Sequence, residues 1–312
     1  MIYLKLLTKY QQEDMRNQMC QKARDIDICL FNAIDESMPK EYLLDCLMLY
    51  EASDGGFAHG LHIDNYNINS SVYQVYEALH LLDLLDFDSN SKEDLFNKIT
   101  NRCFNYLYNR AEMKNNIWNP NVKSNDDFAH SKLFSYAESY NDTFGIHPTP
   151  AIVGYTLTLC KKEKAYYKKA YKMLDFLIDY LLNSKSLTKY ELISFSELLH
   201  SLKKIGYEKD IDKIENKIIK YAKEMVSTDF NDFESLNQFD VAIELYDKEL
   251  NELKDLEADY LISSIKSFGL WDYNGSWGWD KYPEFDSASL KWIGHITAIN
   301  YYYLKKYGRI EK

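Results

Sequence analysis

Residues able to do chemistry crowd into one stretch, SDGGFAHGLHIDNYNINSS, at 53–71. Two imidazoles (His59, His62) and two carboxyls (Asp54, Asp64) sit there beside Gly55, Gly56 and Gly60, three of only 11 glycines in 312 residues. Glycine permits tight or left-handed backbone, so the stretch reads as a sharply folded loop. It ends at Ser71, which with Gln74 forms a capping box for a helix over 72–85. A carboxyl at Asp64 suits proton transfer at the mouth of whatever that helix lines, or a turn-capping bond to nearby amides. Asp54 suits the turn-capping role better. H-x-x-H-x-D is compact enough to chelate zinc. A glycine-rich loop lacks the preorganisation of a helix, however, and the expectation is no metal and no cofactor.

A second concentration is SFGLWDYNGSWGWDKYPEFDSASLKW at 267–292, with four of the five tryptophans (Trp271, Trp277, Trp279, Trp292) beside Asp280 and Glu284. Such rings stack on sugars, stabilise a carbocation, grip an apolar chain, or plug a core. Glu284 stands before an expected helix over 287–305 as Asp64 stands before 72–85. Two carboxyls facing one cavity make an acid–base pair. His147, in GIHPTPAIVG, precedes a third helix and suits either a cavity rim or a bond to its own turn. The expected site therefore has Asp64 and Glu284 as catalytic carboxyls. His59, His62, His147, Trp277, Trp279 and Trp292 are its expected substrate contacts.

The elements that must position these groups are helical. Segments near 2–14, 18–35, 40–52, 72–85, 91–110, 150–162, 164–183, 188–205, 208–226, 235–248, 252–267 and 287–305 keep the helical period. Capping boxes at Ser71/Gln74, Ser91/Asp94 and Thr188/Glu191, and Thr149 ahead of Pro150, mark four starts. Strand signals are nearly absent. Residues 72–85, 151–160 and 292–304 are apolar almost all round, which predicts burial on every side. Residues 91–107 and 208–225 carry single stripes, at Leu95, Ile99, Cys103 and Leu107 and at Ile211, Ile214, Ile218, Tyr221 and Met225. About six helical hairpins forming an inner ring wrapped by an outer ring fit this alternation, within one domain over 1–312. A superhelical solenoid alternates too, but the sequence shows no fixed-period repeat.

Composition narrows the partners. The chain is 46% hydrophobic and 27% charged, with a net charge of -11, which argues against a nucleic-acid footprint. No apolar run reaches membrane-spanning length, and the N-terminal one is too short for a signal peptide. Five scattered cysteines without C-x-x-C spacing indicate neither a disulfide framework nor a zinc knuckle. A reduced, cytoplasmic protein with a small-molecule ligand is the expectation.

SDGGFAHGLHIDNYNINSSVYQVYEALHLL resembles the DGGFGHG-x-x-x-D…SS loop and inner helix of bacterial proteins with the α/α toroid of prenyltransferase and squalene-cyclase type. KARDIDICLFNAIDESMPKEYLLDCLMLYEASDGGF is similar to that family's opening helices. HPTPAIVGYTL and WGWDKYPEFDSASLKWIGHITAINYYYLKKYGRI are similar to its middle and close, so the likeness touches the whole chain. DGGF and NGSWGW are like degenerate glycine–aromatic turns that tie toroid hairpins together. The resemblance implies an all-α toroid that acts on or binds an isoprenoid or other apolar ligand in a central cavity. The sequence departs from the family's known chemistries. It has no D-x-D-D acid, and Asp126-Asp127-Phe128-Ala129-His130 only echoes D-D-x-x-D. The prenyltransferase D-x-C and the Cys-His zinc set of lanthionine cyclases are missing as well. Three readings follow: an isoprenoid enzyme with Asp64 as proton donor or diphosphate contact, an (α/α)6 carbohydrate-active enzyme pairing Asp64 with Glu284, and a non-catalytic toroid that binds a lipid or peptide.

Overall fold

The computed structural model describes residues 4–136, 144–230, 235–237, 239–241, 248–278 and 282–312; Trp279 and Asp280 lie outside them. Among the described residues the helical period becomes eleven helices. They are α1 Lys9–Lys22, α2 Asp25–Ile34, α3 Tyr42–Met48, α4 Val72–Leu84, α5 Asp94–Asn109 and α6 Thr149–Leu159, then α7 Ala165–Asn183, α8 Lys189–Lys204, α9 Ile211–Met225, α10 Lys248–Ser264 and α11 Glu284–Lys306. The fold is all-α. Its only sheet among the described residues is a two-stranded antiparallel hairpin, β1 Met113–Lys114 with β2 Ile117–Trp118. Asn115 and Asn116 turn it at φ 54° and 62°, the left-handed pair that two-residue hairpin loops demand. No helix among the described residues is long and apolar enough to cross a membrane.

Element boundaries differ from expectation where caps compete. Residues 4–7 are not helical, because Leu7 pairs in parallel with Ile310 and the Thr8/Gln11 capping box starts α1 at Lys9. The Thr188/Glu191 box forms as expected. Ser91 instead accepts a bond from the Asp88 N–H, and α5 starts at Asp94 with Glu93 as its N-cap. Thr149 is helical rather than a cap, its hydroxyl accepting from the Trp118 N–H. The last helix begins early, so Glu284 is its first residue, behind Pro283. Of the segment expected to be helical at 235–248, the described residues 235–237 and 239–241 are not helix, and the remainder up to 247 lies outside the described residues.

The chain forms two compact units. One comprises Met1–Leu49, Ser227–Phe239 and Tyr246–Lys312; the other comprises Tyr50–Val226 and Asp240–Leu245. In the first, α2 packs against α1, α3 and α11. In the second, α6 packs against α4, α7 and α8, with α5 on α4 and α9 on α7 and α8. Every residue of α6 is buried, and α4 is buried from Val72 to Leu79, as their all-round apolar faces predict. Gly154 sets the α6–α8 spacing: a Cβ there would lie 2.7 Å from the Ser201 hydroxyl and 3.2 Å from the Leu198 Cα. The striped helices bury one side only; α9 buries Ile214, Ile218, Tyr221 and Ala222. Residues 292–304, expected to be buried all round, bury Gly294, Thr297, Ala298, Tyr301, Tyr303 and Leu304 and leave the others half-buried.

Candidate functional site

The glycine loop belongs wholly to the Tyr50–Val226 unit. Gly55, at φ +90°, brings the backbone so near α5 that a Cβ would sit 3.0 Å from the Arg102 carbonyl oxygen. A Cβ on Gly56 would strike Ser70 at 2.5 Å. Asp54 Oδ1 accepts from the Gly56 N–H (3.0 Å) and the Ser70 hydroxyl (2.5 Å), so this carboxylate holds the turn. Phe57 is fully buried and its backbone bridges Glu51 and Ser71. Ser71 caps α4 by accepting from the Gln74 N–H, while Gln74 Oε1 turns away from the expected box to accept from the Leu61 N–H.

Side-chain amides hold the other half of the loop. Asn67 and Asn65 both donate to Asn125 Oδ1, at 2.8 and 3.2 Å, and Asn125 donates onward to the Phe134 carbonyl. Asn125 is the buried member of a 3-10 turn over Lys123–Asp127, the segment that echoes D-D-x-x-D. Its neighbours Asp126 and Asp127 are exposed, and Asp126 accepts from the Tyr136 N–H.

These braces deliver the loop to a face of α4 that carries Tyr73, Tyr76, Glu77 and His80, spaced as one side of a helix. His147, immediately before α6, is 1% exposed. Its ring lies 5.3 Å from Tyr73, 5.0 Å from Tyr76, 5.8 Å from Phe144 and 5.7 Å from Tyr190. Neither ring nitrogen has a well-formed hydrogen-bond partner. Burial pushes its pKa down to about 3 against the neighbouring Tyr190 backbone, so the imidazole is neutral. His62 packs edge-on against Tyr73 at 5.1 Å and near Phe134 at 4.8 Å. Asp64 accepts at its backbone carbonyl from Ser131, and its N–H meets His62 Nδ1 at 3.3 Å. Its charge is the last of several influences that raise the Tyr73 phenol, after burial, Tyr190, Glu77 and Glu197.

One turn further along α4, His80 Nδ1 lies 2.8 Å from the Tyr155 hydroxyl and 3.0 Å from Glu197 Oε1. Tyr76 donates to the same Glu197 oxygen at 3.0 Å. Burial lowers the His80 pKa, but the Glu197 bond and charge overcome it and lift the value to about 8. Most of this imidazole is therefore cationic at neutral pH. Glu197 Oε2 is buried and has no partner. Burial, reinforced by neighbouring carboxylates, raises Tyr73, Tyr76 and Tyr155 well above the usual phenol range, so all three stay neutral.

Glu191 places His147. Its carboxylate accepts from the Ile146 N–H (3.2 Å), the Tyr180 hydroxyl (2.6 Å) and the Thr188 N–H (2.8 Å). Gly145, at φ +57°, makes room for it, since a Cβ there would lie 2.2 Å from Glu191 Oε1.

Of the expected site residues, the structure gathers Asp64, His62 and His147. His59, at φ +60°, is exposed. The remaining candidates lie in the other unit. Trp277 is buried against Tyr282 and Phe285, and Trp292 stacks on Tyr273 at 5.6 Å. Glu284 is exposed on the first turn of α11, and Trp279 lies outside the described residues. Beside Trp292, His295 Nδ1 meets buried Asp27 at 3.1 Å. Burial would raise that carboxyl, but Arg24 and His295 hold it below its usual range. Tyr73, Tyr76, His80, Tyr155, Tyr190 and Glu197 were not singled out by the sequence. Their signal was there, in titratable residues placed on helices otherwise apolar enough to be buried. Among the described residues no three His, Cys, Asp or Glu side chains are grouped to hold a metal ion.

No protein-family profile, curated protein or solved structure matches the chain.

Proposed function

We propose that the Tyr50–Val226 unit binds a small, apolar-bodied molecule bearing a hydroxyl or similar donor, an isoprenoid alcohol being the type, and transfers protons at that group. The observation that carries this reading is His147, a neutral imidazole walled by four aromatic rings, whose nitrogens have no well-formed partner beyond the approach to the Tyr190 backbone. An unsatisfied buried polar group costs roughly 1–3 kcal/mol, so its retention points to something that completes it. Glu197 Oε2, on the carboxylate whose other oxygen accepts from Tyr76, needs a donor in the same way. A hydroxyl-bearing ligand answers both needs, and the aromatic rings suit its hydrocarbon body.

Charge refines the class. Asp64, Glu77 and Glu197 stand against His80 and Lys189, the latter lying over the Tyr190 ring at 5.2 Å. That balance repels a diphosphate and favours a neutral or cationic ligand. An acid of pKa about 8 also suits oxygen or nitrogen and is far too weak to protonate an isolated double bond. The reading therefore keeps the isoprenoid body implied by the resemblance and drops protonation-initiated cyclisation. Glu197 takes the base role and His80 the acid role, with Asp64 as a further polar contact.

The test is calorimetric titration with geraniol, geranyl diphosphate and cellobiose. Geraniol should bind, the other two should not, and His147→Phe should abolish binding while leaving the protein at least as stable. Tighter binding of the diphosphate or the sugar overturns the ligand class. His147→Phe that loses stability yet still binds geraniol overturns the role of the imidazole.

A further inference from the structure

Cys29 on α2 and Cys46 on α3 are 17 residues apart in sequence, with no spacing that pairs them, yet their sulfurs lie 2.9 Å apart. Both helices belong to the unit containing Met1–Leu49 and pack directly on one another. Both thiols are partly exposed, whereas Cys103 and Cys160 are buried. A disulfide bond is about 2.05 Å long, so the sulfurs need approach by roughly 0.9 Å, within reach of small side-chain rotations. The two thiols are also unequal. The bond from Cys46 pulls the Cys29 thiol down, and the same bond pushes Cys46 up, while Asp25 and Asp45 oppose ionisation of both.

We propose that Cys29 and Cys46 form a site of reversible oxidation, closed to a disulfide by a hydroperoxide and reopened by a dithiol. The Cys29 thiolate attacks one peroxide oxygen; the O–O bond breaks, hydroxide leaves, and Cys29 becomes a sulfenic acid. Cys46 sulfur then attacks Cys29 sulfur, the S–O bond breaks, and water leaves with the Cys46 proton. Two thiols and one hydrogen peroxide thus give one disulfide and two waters. An external dithiol reverses this by exchange, ending as its own disulfide. The product ties α2 to α3 across the turn between them.

The experiment uses the full chain carrying Cys20→Ser, which removes the exposed competing thiol. After equimolar hydrogen peroxide, blocking and digestion, the Cys29 and Cys46 peptides should be recovered joined, with two thiols per chain lost and both restored by dithiothreitol. In Cys46→Ser the sulfenic acid should persist on Cys29 and be trapped by dimedone. With both thiols present, limiting iodoacetamide should alkylate Cys29 at least ~10-fold faster than Cys46, since thiolate rather than thiol attacks. The proposal is overturned if Cys29 and Cys46 stay alkylatable where free glutathione is oxidised, or if Cys29 passes to sulfinic acid without linking. Equal alkylation of Cys29 and Cys46 in the Cys20→Ser protein overturns the assignment of Cys29 as nucleophile. Circular dichroism matching the parent protein verifies that each variant is folded.

Discussion

Raising the pH from 6 to 9 should remove one particular contribution to stability, that of the His80–Glu197 pair. His80 is lifted from an ordinary 6.5 to about 8, with burial working against the shift and Glu197 more than offsetting it. At about 1.36 kcal/mol per pKa unit, the rise of 1.5 units corresponds to about 2 kcal/mol. His80 is only 25% exposed, so solvent screening leaves most of that in place. Because the folded pKa lies above the unfolded one, the contribution is complete below pH 6.5. It declines between 6.5 and 8 and is lost above that window. Denaturant unfolding of the native protein and of His80→Gln at pH 6 and pH 9 isolates it from the other titrating groups. The stability difference between the two proteins should shrink by about 2 kcal/mol, equivalent to a melting shift of roughly 4–8 °C. Glu197→Gln should remove most of the rise, because burial is then opposed only by Glu77 and Asp83, so the pH-dependent part of the stability difference should largely disappear. A difference between native protein and His80→Gln that is the same at pH 6 and pH 9 would refute the ion pair.

Gly56→Ala should cost roughly 1–3 kcal/mol by overpacking, because the new methyl meets Ser70 at 2.5 Å and disturbs its bond to Asp54; thermal unfolding reads this directly, and an unchanged midpoint would contradict the described loop path. Glu191→Ala should cost roughly 2–4 kcal/mol, since the Ile146 and Thr188 N–H groups and the Tyr180 hydroxyl lose their acceptor. It should also weaken geraniol binding through His147, and full affinity in a folded Glu191→Ala protein would contradict that positioning role.

Helix existence was legible wherever one physical signal dominated. α4 and α6 announce themselves through apolar residues on every side, and Thr188 with Glu191 fixed the start of α8 to the residue. Cap chemistry departed from expectation where a side chain bonded elsewhere than at its own helix end, although α4 still starts at Val72 behind Ser71. Gln74 left its box for Leu61, Ser91 served Asp88, and Thr149 served Trp118. The loop half of the site was legible because glycines, imidazoles and carboxyls in one short stretch are rare. The helix half was missed: His80 and Glu197 are 117 residues apart, and only α6, packed between their helices, brings them to 3.0 Å. Proximity in sequence overstated the tryptophan cluster in the same way, since Trp277 turned inward to its own core.

A loop braced by side-chain amides ages in its own fashion. Asn125 both receives the Asn65 and Asn67 protons and donates to the Phe134 carbonyl, a dual task that a carboxylate in its place does not perform. Spontaneous hydrolysis to aspartate would replace the donor with a second acceptor facing that carbonyl, and the brace would open on its Phe134 side. The route to hydrolysis requires the Asp126 nitrogen to swing onto the Asn125 side chain, a motion that burial within the 3-10 turn withholds. Packing thus preserves the chemical identity of the residue on which the packing depends. The durability of the loop is set by how often that turn opens, and each opening exposes the protein to a change that refolding does not undo.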